Sequence, residues 1–211
     1  MQIISTNLGK PATQIWKGKP QVTGIYKTPV AEGIRLETEG VRGDTIGNRS
    51  VHGGAGKACY LFSHEAYAYW EPRYPNLDWA PGMFGENLTV AGLDETQLVM
   101  GAEYRLGEAR IRITTPREPC YKLGLRFGDQ GIIEAFVSRG QPGSYAAVTV
   151  PGHVRPGDFL EPLTPEYQGL TIVQYFQLLY APEKDPALLR QALDSPYLPE
   201  AKRKLFTRWL P

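Results

Sequence analysis

The sequence predicts a mainly β protein with peripheral helices: a closed or nearly closed β-barrel followed by a C-terminal three-helix unit. Glycine and proline, 23 and 18 residues in a chain of 211, are spread through roughly the first 165 positions and separate short apolar runs. Short strands divided by such turn residues are typical of barrels. After about Pro165 the strand pattern stops and helical periodicity begins. We therefore expect two units, residues 1–164 and residues 165–211.

The strand predictions rest on alternation of apolar and polar residues between turns. The clearest run is residues 109–114, where Ala109, Ile111 and Ile113 share one face and two arginines occupy the other. Residues 104–106 precede this run and are expected to form its hairpin partner. The other predicted strands are residues 2–7, 22–27, 33–36, 58–62, 146–150 and 159–163.

Two helices are expected among the strands. Ser63 is a suitable N-cap for a helix that Pro72 would end or bend. The second helix is expected to begin near Asp129 and to end before Gly140, because an apolar stripe of helical spacing lies between these residues.

Three further helices are expected in the C-terminal unit. Thr171 caps the first, Asp185 followed by Pro186 begins the second, and Pro199 begins the third. The outer face of the third helix is cationic. This face is either simply solvated or a docking surface for an acidic electron-donor protein. Its cations are Lys202, Arg203, Lys204 and Arg208.

Composition and charge exclude several classes of protein. The chain has 23 Lys and Arg against 22 Asp and Glu, so there is no basic excess that would indicate nucleic-acid binding. The most apolar stretch, residues 170–180, is much shorter than a membrane span, and residues 1–10 do not resemble a signal peptide. Two cysteines cannot form a disulfide framework or an iron–sulfur site with four thiolates. We expect a cytoplasmic protein without membrane or nucleic-acid partners.

Cys120 is the strongest candidate for chemistry. It follows the predicted strand 109–114 on a segment that Pro116 and Pro119 stiffen, and Arg117 and Lys122 lie close to it in sequence. Cations near a thiol favour the thiolate, which is both the nucleophile and the metal ligand. Cys59, by contrast, lies inside an apolar run and is expected to pack in the core.

The other candidate binding residues also lie near the ends of predicted strands. Glycines beside cations let backbone amides approach an anion, and a thiolate binds soft metals. Together they indicate one site for a phosphorylated cofactor that carries a soft or redox metal, although ordinary turns are the alternative for each glycine segment. The residues are Lys27; Gly43 and Asp44; His52, Gly53 and Gly54; Phe84, Glu86 and Asn87; and Arg117 and Lys122.

The order of these motifs resembles the MOSC domain, which is named after the C-terminus of molybdenum cofactor sulfurases. The similar segments are GVRGD at 40–44, VHGG at 51–54, FGENL at 84–88 and PREPCYKL at 116–123, and the helical tail resembles the YiiM type. Members often carry a further acidic residue where this chain reads TIGNRSV at 45–51, so we assign no role to Asn48 or Arg49.

The resemblance implies a MOSC-type β-barrel that binds the molybdenum cofactor, a molybdopterin with a dithiolene and a terminal phosphate. Cys120 matches the molybdenum ligand and would be the catalytic residue. Lys27, Gly43, Asp44, His52 and Arg117 match positions around the cofactor pocket. Related proteins reduce small N-hydroxylated compounds, including hydroxylaminopurine base analogues, and so detoxify them. The electrons would come from an external flavoprotein reductase.

Two other functions stay open at this point. The chain could be a carrier that holds the cofactor or its sulfur without turnover. Alternatively, it could be a cofactor-free enzyme with Cys120 as nucleophile and His52 as base. The sequence also leaves the oligomeric state open, a homodimer included.

Overall fold

The computed structural model describes residues 1–47 and 53–210. The strands are β1 (Gln2–Gly9), β2 (Ala12–Trp16), β3 (Lys19–Thr23), β4 (Lys27–Pro29), β5 (Ile34–Glu37), β6 (Gly40–Val41), β7 (Cys59–Ser63), β8 (Leu88–Ala91), β9 (Glu103–Leu106), β10 (Ala109–Pro116), β11 (Ser144–Val150), β12 (Gly152–Val154) and β13 (Leu160–Pro162). The helices are α1 (Tyr67–Trp70), α2 (Tyr121–Phe127), α3 (Ile132–Arg139), α4 (Ile172–Tyr180), α5 (Pro186–Asp194) and α6 (Glu200–Trp209), with 3-10 turns at Ala55–Lys57 and Glu71–Arg73. Among the described residues, no helix has the length and apolar character needed to cross a membrane.

Eight strands form one mixed sheet in the order β13-β9-β10-β11-β7-β8-β1-β4. Neighbouring strands are antiparallel except β7 and β8, which run parallel. A smaller sheet has the order β12-β5-β6, and β2 pairs with β3 as a separate hairpin. The predicted mainly β architecture with helices is therefore present, and β10 shows the expected alternation: Ala109, Ile111 and Ile113 are all buried.

The prediction is wrong where it expects a closed barrel, because the main sheet does not close. The strands β4 and β13 are the two edges of the sheet and do not pair with each other. Each contains three residues and ends in proline, which has no N–H to continue a ladder. Backbone hydrogen bonds do join the start of β1 to the start of β13: Ile3 N donates to Asp158 O at 2.8 Å, and Leu160 N donates to Met1 O at 2.9 Å. These bonds hold the two segments together but do not form a continuous ladder.

The three C-terminal helices are present with the predicted caps. Thr171 forms a capping box, in which its hydroxyl accepts from Gln174 N at 3.2 Å and its own amide donates to the Gln174 side chain at 2.9 Å. Asp185 accepts from Ala187 N at 2.7 Å at the start of α5. The helices share an apolar core in which the rings of Tyr175 and Phe206 lie 5.6 Å apart.

Three local predictions differ from the structure. The helix expected from Ser63 is present but begins later, as α1 at Tyr67–Trp70 followed by the 3-10 turn Glu71–Arg73. The predicted cap is wrong, because β7 includes Ser63, whose hydroxyl donates to Glu65. The strand expected at 22–27 is divided between β3 and β4. The sequence predicts no helix directly after Cys120, whereas the structure has α2 there, with Gly128 as its C-cap at a φ of 68°.

The turn that precedes β8 is built around the buried carboxylate of Glu86. One oxygen accepts from the Tyr67 hydroxyl, from Gly82 N at 2.8 Å and from the Thr89 hydroxyl at 2.9 Å. The other oxygen accepts from Phe84 N at 3.0 Å. Burial raises the pKa of Glu86, and these donors oppose that shift. These buried hydrogen bonds to Glu86 therefore fix the conformation of the turn.

We expect Glu86→Gln to destabilise the protein. A glutamine amide has one acceptor oxygen, and its NH2 group would face an N–H or O–H donor. Leaving one buried donor unpaired costs about 1–3 kcal/mol. Urea denaturation should show that loss in the free energy of unfolding. Glu134→Gln, at a position on α3 that is not buried, is the matched control and should change it by less than about 0.5 kcal/mol. Equal stability of both variants would contradict the internal role of Glu86.

Candidate functional site

A cleft opens where the start of β4 meets the loop 44–47, the turn 85–87 and the segment 117–122. These segments are far apart in sequence, and the sheet brings them together because β4 pairs with β1, which in turn pairs with β8. Six of the sequence-predicted site residues line the cleft: Lys27, Asp44, Asn87, Arg117, Cys120 and Lys122.

One wall of the cleft is backbone packed against backbone. A Cβ added at Gly24 would lie 1.8 Å from the carbonyl oxygen of Thr45, and one added at Gly9 would lie 2.2 Å from the carbonyl oxygen of Gly24. No side chain fits in either gap, so only glycine allows these segments to approach. This contact explains why the predicted strand 22–27 is interrupted at Gly24.

Asp44 ties the segments of the cleft together. Its Oδ1 accepts from Gly9 N at 2.7 Å, and its Oδ2 accepts from Lys27 Nζ and from Asn87 Nδ2 at 2.9 Å. The Lys27–Asp44 ion pair is buried, with exposed side-chain fractions of 7% and 6%. Removing one partner of a buried ion pair leaves the other charge buried and uncompensated, which is strongly destabilising. Lys27 and Asp44 therefore hold the cleft together, and much of their charge is mutually neutralised.

Arg117 is a buried cation of the cleft that forms no salt bridge within the described residues. The residue is 6% exposed, and its Nη1 has no hydrogen-bond partner within the described parts of the chain. Its guanidinium carbon lies 5.3 Å from the ring centre of Tyr60 and 5.6 Å from that of Phe136. Burial raises the pKa of Tyr60 and of Tyr145, so both phenols stay neutral at physiological pH. A buried cation with an unused donor is suited to an anionic ligand.

Cys120 and Cys59 occupy opposite environments, as the sequence predicts. Cys120 precedes α2, is partly exposed and lines the cleft. Among the described residues, no backbone amide of α2 donates to its sulfur as a cap. Cys59 is completely buried in β7, and burial raises the pKa of its thiol far above the ordinary value. Only Cys120 is therefore placed to bind a ligand.

Lys122 and Thr23, the last residue of the β2–β3 hairpin, also line the cleft. Lys122 Nζ donates to Val22 O at 3.4 Å and forms no salt bridge within the described residues. The hairpin rests on α2 through Trp16 and Tyr121, whose ring centres lie 4.8 Å apart. The hairpin thereby fixes the start of the helix that follows Cys120.

Five other predicted site residues that the structure describes do not line the cleft. Phe84 is fully buried in an aromatic cluster, and the carboxylate of Glu86 is directed into its own turn. Gly43, Gly53 and Gly54 are not among the lining residues, although Gly85, between Phe84 and Glu86, is. His52 lies outside the described residues, as do Asn48 and Arg49.

Sequence reasoning did not assign Tyr60, Tyr145 and Glu118 to the site, although all three line the cleft. Glu118 directly follows Arg117 in the PREPC segment, so its place near the site could have been inferred from the sequence. The two tyrosines sit on paired strands, with Tyr145 opposite Tyr60, and no sequence signal separates them from core residues. Lys57, which follows the glycine segment 53–54 in sequence, also lines the cleft.

The cationic face expected on α6 is largely engaged within the protein. Lys202 Nζ donates to Glu118 Oε2 at 2.7 Å, and Arg203 donates to the carbonyl oxygens of Leu193 and Ser195. Lys204 lies 3.7 Å from Glu200, with both side chains well exposed. The helix therefore contacts the edge of the cleft instead of presenting a uniform free surface.

The donor set of the cleft fits an anionic group that carries a metal. Its described lining has four cationic side chains and two carboxylates, and each carboxylate is paired with a lysine. Arg117 offers an unused hydrogen-bond donor, and the wall that contains Gly24 offers backbone groups. Cys120 offers one soft ligand. Molybdopterin, with its phosphate and metal-bound dithiolene, has matching chemistry.

Comparisons with known proteins agree with this fold and site. The MOSC domain family matches residues 48–161, and the family described as YiiM-like, 3-alpha helix domain matches residues 170–210. An uncharacterized protein of Bacillus subtilis, YflK, is 34% identical over 98% of this chain and 93% of its own length. A fungal protein of Gibberella moniliformis named "Reductase" is 26% identical over 87% of this chain, which spans 34% of that protein.

One solved structure has a closely similar fold over the whole chain. The crystal structure of YiiM from Geobacillus stearothermophilus has a TM-score of 0.81 and is 29% identical, and the superposition covers 100% of this chain and 99% of the other. It shares with this chain the mixed sheet and the C-terminal helices. The protein therefore belongs to the MOSC family and has the YiiM-like arrangement with a C-terminal three-helix domain.

Proposed function

We propose that the protein is a molybdenum-cofactor-dependent reductase of small N-hydroxylated compounds, hydroxylaminopurine-type base analogues among them, and that it detoxifies them. One observation carries this proposal: a partly exposed thiol and a buried arginine with an unused donor line the same cleft. The membership in a family named after molybdenum cofactor sulfurases supports the choice of cofactor.

Each part of the cleft would bind a different part of the cofactor. Cys120 Sγ would ligate the metal, and Arg117 and Lys122 would bind the phosphate or the dithiolene. Lys27, Asp44 and Asn87 would hold the segments of the cleft in a fixed arrangement. When bound, the cofactor would supply two-electron redox chemistry at the N–O bond of the substrate.

The reaction consumes two electrons and two protons. An N-hydroxylated compound, R–NHOH, would yield R–NH2 and one water molecule as the N–O bond breaks. The electrons would come from a separate flavoprotein reductase. The fungal relative named "Reductase" supports the oxidoreductase class and carries no information about this substrate.

Metal analysis combined with a substrate panel tests the proposal. The protein is purified from cells that make the molybdenum cofactor and from cells that cannot, then assayed with hydroxylaminopurines and amidoximes and a chemical reductant. We expect stoichiometric molybdenum and activity only in the first preparation. Molybdenum without turnover would indicate the carrier function, and equal activity in both preparations would indicate cofactor-free chemistry at Cys120.

We expect Cys120→Ser to abolish reduction and leave the fold intact. A hydroxyl is a much poorer ligand for a soft metal than a thiolate, and the partly exposed Cys120 contributes little to packing. Activity and thermal unfolding are the measurements. The control is Cys59→Ala, which should cost about 1 kcal/mol of stability through a small cavity and keep activity. A fully active Cys120→Ser protein would refute the assignment.

Arg117→Ala should weaken cofactor retention. A charge-assisted hydrogen bond contributes about 1.5–3 kcal/mol, which corresponds to roughly 10- to 150-fold in the dissociation constant. Molybdenum per chain after gel filtration is the measurement. Arg110→Ala removes an exposed arginine of β10 and should retain molybdenum as the unaltered protein does. If both variants keep full occupancy, Arg117 does not bind the cofactor.

A further inference from the structure

An ion pair connects the C-terminal helical unit to the cleft. Lys202 of α6 donates to Glu118 at 2.7 Å, and their side chains are 22% and 43% exposed. These residues are 84 positions apart in sequence. Glu118 lines the cleft and lies next to Arg117 and two residues before Cys120. The ion pair therefore joins α6 to the segment that carries both key groups.

Glu118 is the carboxylate nearest in sequence to Arg117. Arg117 Nη1 has no hydrogen-bond partner in residues 1–47 and 53–210, although this acid is its direct neighbour. The two side chains differ in their exposure to solvent, since Arg117 is buried and Glu118 is exposed. A carboxylate released from Lys202 would be attracted to the cations that line the cleft.

The end of α4 borders the same region. Burial raises the pKa of Tyr180 to about 12, and the charges of Glu118 and Cys120 add to this rise. Burial also lowers the pKa of Lys57, an effect that Glu118 opposes and Lys202 reinforces. Residues of two C-terminal helices thus lie within electrostatic range of the Cys120 segment.

We propose that Lys202 is a positioning residue that holds Glu118 away from Arg117 and so keeps the cleft positively charged for an anionic ligand. The inference rests on the proposed function only for the identity of that ligand. In this arrangement the C-terminal unit sets the charge that Cys120 experiences, although it contributes no group to the metal.

The local charge can be measured through the alkylation of Cys120. Iodoacetate is anionic and iodoacetamide is neutral, and both react with the same thiolate. The ratio of their rates therefore reports the potential near the sulfur and is independent of the fraction of thiolate. Cofactor-free protein is used, and Cys120→Ser verifies that the buried Cys59 does not react.

Lys202→Met should lower the iodoacetate-to-iodoacetamide ratio by about two- to fivefold, the range that corresponds to an exposed ion pair. Lys202→Arg should keep the ratio near that of the unaltered protein. Lys204→Met removes an equal charge two residues along the same helix and should leave the ratio unchanged, because Lys204 contacts Glu200 instead of Glu118.

A double-mutant cycle separates positioning from a simple loss of charge. If Lys202 acts by holding Glu118, then Lys202→Met should have almost no effect in a Glu118→Gln background. If the two charges act independently at long range, Lys202→Met would lower the ratio equally in both backgrounds, and this result would overturn the proposal. An unchanged ratio in Lys202→Met alone would also overturn it.

Molybdenum content of the holoprotein provides a second readout. We expect Lys202→Met to lose molybdenum about two- to fivefold faster during dialysis, and Glu118→Gln to restore retention. If the unaltered protein binds no molybdenum, the proposed function fails, while the alkylation cycle on cofactor-free protein still decides the role of Lys202.

Discussion

The buried carboxylate of Asp44 is the group on which the arrangement of the cleft depends. It accepts hydrogen bonds from the amide of Gly9, from Nζ of Lys27 and from Nδ2 of Asn87. A buried carboxylate is stable only when donors surround it. The end of β1, the start of β4 and the turn before β8 must therefore meet at one point, and the close glycine contact at Gly24 allows them to do so.

This buried pair also determines which charges remain for a ligand. Lys27 is cationic but is neutralised by Asp44, and the acid Glu118 is neutralised by Lys202 from another part of the fold. Arg117 is left with an unused donor and neutral tyrosine neighbours. The character of the cleft thus arises from how charges are paired, since the chain as a whole has a formal charge of only +1.

Local features of the fold were predictable from the sequence, whereas closure of the sheet was not. Thr171 and Asp185 cap their helices as predicted, because a cap depends on residues within one turn. The alternation in β10 was equally local. Closure depends on whether two distant edges pair, and neither Pro29 nor Pro162 reveals its partner strand. Helix α2 was missed because two prolines precede it and Gly124 weakens its helical pattern.

The same distinction applies to the site. Cys120, Arg117 and Lys122 belong to one short segment, so their proximity could be inferred. Glu86 shares a turn with Asn87 but is directed toward Tyr67, a residue of another element, and the sequence alone does not indicate that direction. The partner of Glu118 is still more distant, because the ion pair forms only when α6 packs beside the cleft.

The short, proline-ended edges of the main sheet limit how copies of this chain can associate. A second molecule approaching β4 or β13 would meet three residues and then a proline, too little backbone to extend the sheet. Strand exchange and edge-to-edge aggregation are therefore disfavoured at both places. Side-chain surfaces are the alternative to these two edges, and the outward face of the β2–β3 hairpin is one of them, because Ile15 and Val22 are 63% and 49% exposed.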